Sequence, residues 1–269
     1  MSWEENYLNE VYSWRFGGKK NISKIPQRAI IGLGGSASKI ASFLKNKIKL
    51  GPSFVGTYKG EKIAVLACGM GAAEIETTMG AIGKLPIKYL IAIGWVGAID
   101  PKIKVGDLIL PTIALRGENT TDYYLPRGIN ISSNKIFNYK LEQNLIREKI
   151  KYFKGRVFTT PAPFKETPQF IKILQENKII GVEMECSVLF TLSKLQGKRA
   201  SALLVVSDNP STSNTHAISD SLEKKEEKGF ERAVNMVLES MLGNNLSSVI
   251  KKIGSDFVHG AQHDLIKKR

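Results

Sequence analysis

Short apolar runs alternate along this chain with segments of helical period, and few soluble folds accommodate that alternation. RAIIGL (28–33) runs into GLGGS, and SKIASFLKNKI follows with helical spacing. FVGTY and KIAVLAC flank a Lys-Gly turn and read as a hairpin. AAEIETTMGAIGKL reads as a helix and KYLIAIG as a fully buried strand. DLILPTIAL is another strand, in which Pro111 predicts a bend or an edge position. Residues 134–153 read as an amphipathic helix, RVFTT as a strand and ETPQFIKILQEN as a helix. A helix opening at Glu183 comes next, then the strand ASALLVVSDN, the polar loop PSTSNTHAISDS and a charged helix at about 221–242. This order predicts an α/β layer sandwich, with helices flanking a central mixed, largely parallel sheet. The 269 residues contain no long linker and no internal repeat. One domain is therefore expected over 1–269, with its core at about 28–242 and a basic C-terminal extension at about 243–269.

Composition narrows the class. No apolar run approaches the roughly 18 residues of a membrane span. Cys68 and Cys186 sit in apolar runs without a CxxC neighbour, which argues against metal or redox work and for a reducing, cytoplasmic setting. The stretch MSWEENYLNEVYSWRFGGKK is acidic, aromatic and then basic, unlike a secretory signal. The net charge of +14 suits a phosphate-bearing ligand or simply a Lys-rich surface. The cations are scattered, without the aromatic interleaving of a nucleic-acid groove.

Ligands in such folds collect at the carboxyl ends of strands, and three ends here are distinctive: GLGGS, GWVGA and SDN. Gly32, Gly34 and Ala37 fit a dinucleotide fingerprint, but FVGTYKG offers no acid before Glu61 to hold a ribose. The surviving inference is a glycine turn whose backbone N–H groups can face an anion. GMGAAE (69–74) and GWVGA (94–98) are two more such turns. In and just after GVEMECSVLF (181–190), Val188, Leu189 and Leu192 lie three, four and seven positions after Glu185. That spacing puts Glu185 on an apolar helix face, where a carboxylate is costly without a partner. Asp208, in SDN, either caps a turn or faces the crevice.

GTYKGEKIAVLACGMG, IGWVGAIDPKIKVGDLILPT, GVEMECSVLF and LLVVSDN, in this order over about 28–210, resemble the nucleoside phosphorylase family of bacterial purine nucleoside and uridine phosphorylases. RGENTTDYYLP and VVSDN look closest to archaeal uridine and methylthioadenosine phosphorylases. The resemblance implies attack of inorganic phosphate on the anomeric carbon of a ribonucleoside, with purines favoured and uridine possible. No cofactor is needed, phosphate being the co-substrate. It implies that Glu185 accepts hydrogen bonds from the ribose 2′ and 3′ hydroxyls, with Met184 and Met70 lining the sugar. It implies Asp208 as the group acting on the purine ring, with Phe164, Glu183 and Ser207 around the base. It also implies a homo-oligomer, dimer-based and often hexameric.

The phosphate site departs from the family pattern. Ser36 and Ala92 stand where the family carries Arg, and Trp95 replaces a small hydroxyl residue. The remaining candidates for phosphate are Gly32, Trp95 and Lys49, the last in place of an Arg donated by a neighbouring subunit. The family's N-terminal His has no counterpart, since His216, His259 and His263 lie late in the chain. Arg binds phosphate through a rigid fork that Ser and Ala lack. Three readings therefore stand: a phosphorylase with a rearranged phosphate site, a hydrolase of the same fold, or a non-catalytic nucleoside-binding paralogue or partner subunit. The Trp95 ring either folds away, leaving backbone N–H groups for phosphate, or fills the pocket; the missing arginines favour the second.

Overall fold

The computed structural model describes residues 2–212 and 220–243. The basic C-terminal extension, the three histidines and most of the polar loop lie outside them. Ten strands form one sheet: β1 (Arg28–Gly32), β2 (Lys45–Leu50), β3 (Ser53–Tyr58), β4 (Glu61–Ala67), β5 (Tyr89–Ala98), β6 (Leu108–Arg116), β7 (Ile131–Ser132), β8 (Tyr152–Thr159), β9 (Ile179–Glu183) and β10 (Arg199–Asp208). Helices α1 (Trp3–Phe16), α3 (Ala72–Gly83) and α6 (Cys186–Leu195) bury their apolar stripes on one face. Helices α2 (Ala37–Ala41), α4 (Lys135–Arg147) and α7 (Asp220–Met241) cover the other, and α5 (Pro168–Glu176) closes a smaller cluster against β9. The α/β sandwich read from the sequence is thus the fold.

Strand β5 sets the site. It runs parallel to β1 through Tyr89–Ile93 and to β10 along most of its length. Beyond Ile93 it leaves β1 and pairs antiparallel with β9 at Gly97 and Ala98. Since β10, β6, β8 and β9 are themselves paired in sequence, this closes the ring β5–β10–β6–β8–β9. The parting of β1 from β5 opens a crevice beyond the strand ends, the usual ligand position in such sheets.

Several boundaries differ from the sequence reading. The helical segment at 38–48 stops at Ala41, and Lys45–Leu50 forms the edge strand β2, of which only Leu50 is buried. The helix expected over 134–153 ends at Arg147; Lys149 takes a left-handed conformation (φ 54°) and β8 begins at Tyr152. Pro111 lies in an interior strand, not at an edge. It sits at a register shift between β6 and β8, where its missing N–H is tolerated. Helix α1 was not legible. Its Ser2/Glu5 capping box starts it, Gly17 in the left-handed region stops it, and Val11, Tyr12 and Phe16 bury one side.

Helix α7 is drawn onto the sheet by two glycines. Gly106 has φ +83°, and a Cβ there would lie 2.3 Å from the Lys225 carbonyl oxygen; one on Gly229 would lie 2.6 Å from the Gly106 carbonyl oxygen. Gly106→Ala is therefore expected to lower unfolding free energy by about 2–4 kcal/mol, through both the strained φ and the displaced helix. Urea denaturation measures this, and wild-type stability would show that α7 does not approach so closely.

Candidate active site

The crevice is a cavity of about 480 Å³ at the end of β5, walled by Leu33 and Gly34, Trp95 to Gly97, Val182 to Glu185, and Ser207 and Asp208. Met70 and Phe164 stand at its rim. Of the residues singled out from the sequence, all but Gly32 and Lys49 line it. Gly32 lies within the ladder, registered with Ala67 and Ile93. Lys49 lies on exposed β2, outside the cavity of its own chain.

The GVEMEC segment is not the start of a helix on its first acid. Strand β9 ends at Glu183, and α6 begins only at Cys186, with Glu185 as its N-cap residue (φ −135°, ψ −32°). The two acids bracketing Met184 divide the work. Glu183 Oε2 accepts the N–H groups of Glu185 (2.7 Å) and Cys186 (2.6 Å), and Oε1 accepts the Thr159 hydroxyl. Glu183, although it borders the cavity, thus spends one oxygen on the N–H groups at the entry of α6 and the other on the Thr159 hydroxyl. Thr159 in turn accepts the Ser187 N–H (3.0 Å), and the Ser187 hydroxyl donates to buried Glu118 (2.8 Å). Glu118 also takes the N–H (2.8 Å) and hydroxyl (2.5 Å) of Thr121. This buried network fixes the helix entry from the loop after β6. Thr159, Ser187 and Glu118 were not identified from sequence, because their roles arise only from strand pairing.

Glu185 faces the cavity and is 5% exposed. Its Oε1 accepts the Gly71 N–H at 2.6 Å, leaving most of the carboxylate's acceptor capacity for a ligand. Burial, and then the charge of Glu183, push its pKa up to about 7. Met184 packs toward the same turn, its Cε lying 3.8 Å from where a Cβ on Gly71 would sit. That second glycine turn is itself tied down: Gly69 N–H donates to Glu74 Oε2 (3.1 Å), and Glu74 pairs with Arg15 of α1.

Asp208 arrives by a bulge. Val206 pairs with Val96 and Asp208 with Gly97, so Ser207 is an extra residue on β10. Bulges re-aim side chains beside active sites. Asp208 Oδ1 lies 3.5 Å from the position a Cβ on Gly97 would take, and the Ser207 hydroxyl donates to that oxygen at 2.8 Å. Ser207 therefore orients the acid. Phe164, on the 3₁₀ turn Pro163–Lys165, is fully exposed at the mouth.

The side around the first glycine turn, where the resemblance leads us to expect phosphate, is different. The N–H groups of Gly34 and Gly35 donate to the carbonyls of Gly69 and Cys68 (both 3.2 Å), and Ser36 N–H to Leu33 (3.1 Å). The first glycine turn spends its donors internally. The Trp95 indole lies over it, Cζ3 being 3.0 Å from where a Cβ on Gly34 would sit. The same ring stacks on Phe230 of α7, with centroids 5.4 Å apart and planes 21° apart. Trp95 thus both lines the cavity and anchors α7.

Known proteins share this plan. A family model described as the phosphorylase superfamily matches residues 29–242. A DeoD-type purine nucleoside phosphorylase from Oceanobacillus iheyensis is 30% identical over 174 residues, covering 62% of this chain and 72% of that protein. Its Bacillus cytotoxicus counterpart is 28% identical over 192 residues, 70% and 79% of the two chains. Among solved structures, uridine phosphorylase from Vibrio fischeri ES114 superposes with TM-score 0.76 at 22% identity, covering 82% of this chain and 93% of its own. Purine nucleoside phosphorylase from Toxoplasma gondii, in complex with immucillin-H, gives 0.73 at 19%, covering 82% and 92%. The family match runs from β1 to α7, through every strand of the closed ring and every wall of the cavity, and the chain belongs to the phosphorylase superfamily.

Proposed function

We propose that this chain cleaves the N-glycosidic bond of ribonucleosides, purines in preference to uridine, and releases the free base. The observation that carries the reading is Glu185: a buried carboxylate on the cavity wall, held through one oxygen by Gly71 N–H and open to a diol. A ribose presents two adjacent hydroxyls, which would satisfy an acid that is otherwise costly to bury. Asp208 lines the same cavity from β10, which supports a role for it in serving the leaving base, and the relatives named purine nucleoside phosphorylase support a purine. Family membership suggests phosphorolysis to ribose 1-phosphate, a reaction that requires no cofactor. The exposed Phe164 and the largely exposed Met70 (67%) at the rim favour a homo-oligomer that covers the mouth, in which Lys49 of edge strand β2 would serve a neighbour's site.

Incubating the pure protein with adenosine, inosine, guanosine and uridine, with and without phosphate, tests this reading. Free purine is expected to appear faster than uracil. Absence of base release from every nucleoside in both buffers would overturn it. Lys49→Ala is expected to leave the fold intact and to lower turnover only in the assembled oligomer; identical rates for variant and wild type would remove Lys49 from the site.

A further inference from the structure

Helix α1 precedes the residues that match the phosphorylase superfamily, which begin at Ala29, yet one of its side chains is bonded to a turn that borders the cavity. The helix is seated firmly at that end. Val11, Tyr12 and Phe16 are buried in the core, and Asn21 Nδ2 donates to the Phe16 carbonyl at 2.7 Å. Gly17, which stops the helix, lies against the β2–β3 turn, where a Cβ on it would come within 2.9 Å of the Gly51 nitrogen. Arg15, in the last turn, is thereby fixed in place with its side chain 14% exposed. Its Nη2 meets Oε2 of Glu74, in the first turn of α3. Its Nε is buried and closes no hydrogen bond among the described residues, so the pair is held by the end of the guanidinium.

Glu74 passes this anchorage to the turn Gly69–Met70–Gly71. The same Oε2 accepts the Gly69 N–H (3.1 Å), and a Cβ on Gly69 would lie 2.7 Å from it. The Gly69 carbonyl accepts the Gly34 N–H and the Gly71 carbonyl the Ile75 N–H, both at 3.2 Å. The Gly71 N–H donates to Glu185 Oε1 at 2.6 Å. Two carboxylates therefore hang on one short turn, Glu74 at Gly69 and Glu185 at Gly71. Met70, between them, lines the cavity rim. The hydrogen bond from Arg15 holds the Glu74 carboxyl below its ordinary range, so the link stays charged at neutral pH.

Resting on the reading that Glu185 holds the ribose, we propose that Arg15 is a positioning residue for nucleoside binding: it pins Glu74, Glu74 pins the Gly69–Gly71 turn, and the turn presents the N–H that fixes Glu185. A helix outside the family match is then a working part of the sugar site. Breaking the link frees Glu74, whose side chain is 44% exposed, to turn to water, and the turn loses its hold at Gly69. Glu185 then loses a donor to its charged form, so nucleoside affinity falls and its pH dependence moves upward. The other titratable groups that act on Glu185, or on which it acts, are Glu183 of β9, Cys186 of α6 and Cys68 after β4. None of these is replaced in the test, and burial raises both thiols, which stay neutral in this range.

Calorimetric titration with inosine at several pH values, alongside kcat and KM, tests the full chain and its variants. Arg15→Met and Glu74→Ala are each expected to weaken affinity about tenfold at pH 7 and to raise KM in step. The kcat should stay within about threefold, and the midpoint of the pH profile should rise. The double variant Arg15→Met/Glu74→Ala should bind no more weakly than either single one, because both act through one link. Arg15→Lys should recover most of the loss, since an ammonium can replace a contact made by one guanidinium nitrogen. Thermal unfolding checks the fold, and the double variant, which leaves no buried charge unpaired, is the reference for it. Wild-type affinity and pH profile in the folded double variant would overturn the inference and leave the ribose reading standing. Additive losses in the double variant would also overturn it, since Arg15 would then act by charge alone. Inosine bound equally well by wild type and Glu185→Gln, or not bound by wild type at all, would overturn both.

Discussion

Ribonucleoside affinity is expected to rise about tenfold per pH unit as pH approaches about 7 from below, and to level off above it. The ribose hydroxyls must donate, so they need Glu185 as the carboxylate. Burial and the neighbouring charge of Glu183 hold its pKa up to about 7. Below that pH the free protein keeps a proton on the acid, which binding must first expel. Stability runs the other way. Glu185 binds its proton more tightly in the folded state than in the unfolded chain. Its stabilising share is thus fully present below the ordinary carboxylate range and is lost as pH rises to about 7. The free protein should lose part of its stability across the window in which its ligand gains affinity. Glu185→Gln separates the two effects. The amide keeps the shape and loses the charge, so binding should weaken by about 1.5–3 kcal/mol, or roughly 10- to 150-fold, at pH above 7. The pH dependence of binding should flatten, and the variant should keep its stability above pH 7 better than wild type. Calorimetric titration and thermal unfolding at several pH values measure both. A pH-dependent affinity surviving in Glu185→Gln would assign the titration to another group.

Most of the layer architecture was legible because long apolar runs such as KYLIAIG and ASALLVV have one stable use, as buried strands. What escaped was short or depended on partners. Strand β9 is five residues, and its Ile179–Glu183 run merges in sequence with the helix after it; only the Glu183 cap shows where one stops and the other starts. Strand β2 exposes five of its six residues and so lacks a buried-strand signal. The closed ring was not legible at all, since it depends on β5 exchanging β1 for β9 at Gly97, a choice made by tertiary packing. In the site, Glu185 and Asp208 stood out as acids in apolar company. Glu183 did too, but the backbone donors it accepts make it a helix cap first.

Asp208→Asn is expected to lower turnover on purine nucleosides by about 10²–10⁴-fold while changing their affinity little. The bulge at Ser207 brings this side chain to the cavity wall, and the Ser207 hydroxyl fixes its Oδ1. As the C–N bond breaks, the departing purine gathers negative charge, and an acid beside it can supply a proton where an amide can offer only a weak hydrogen bond. The effect should therefore fall on kcat, since the proton is needed in the transition state and not in the bound ground state. The nature of the leaving group gives a sharper test than the rate alone. A purine nucleoside already methylated on the imidazole ring carries its positive charge before the bond breaks and leaves as a neutral base. Asp208→Asn should cleave such a substrate within about tenfold of wild type while remaining poor on inosine. Ser207→Ala, which frees the carboxylate without removing it, should fall between wild type and Asp208→Asn on inosine. Equal losses on the methylated and unmethylated substrates would mean that Asp208 holds the base in place and gives it no proton. Unimpaired turnover on inosine would make Asp208 no more than the end of its strand.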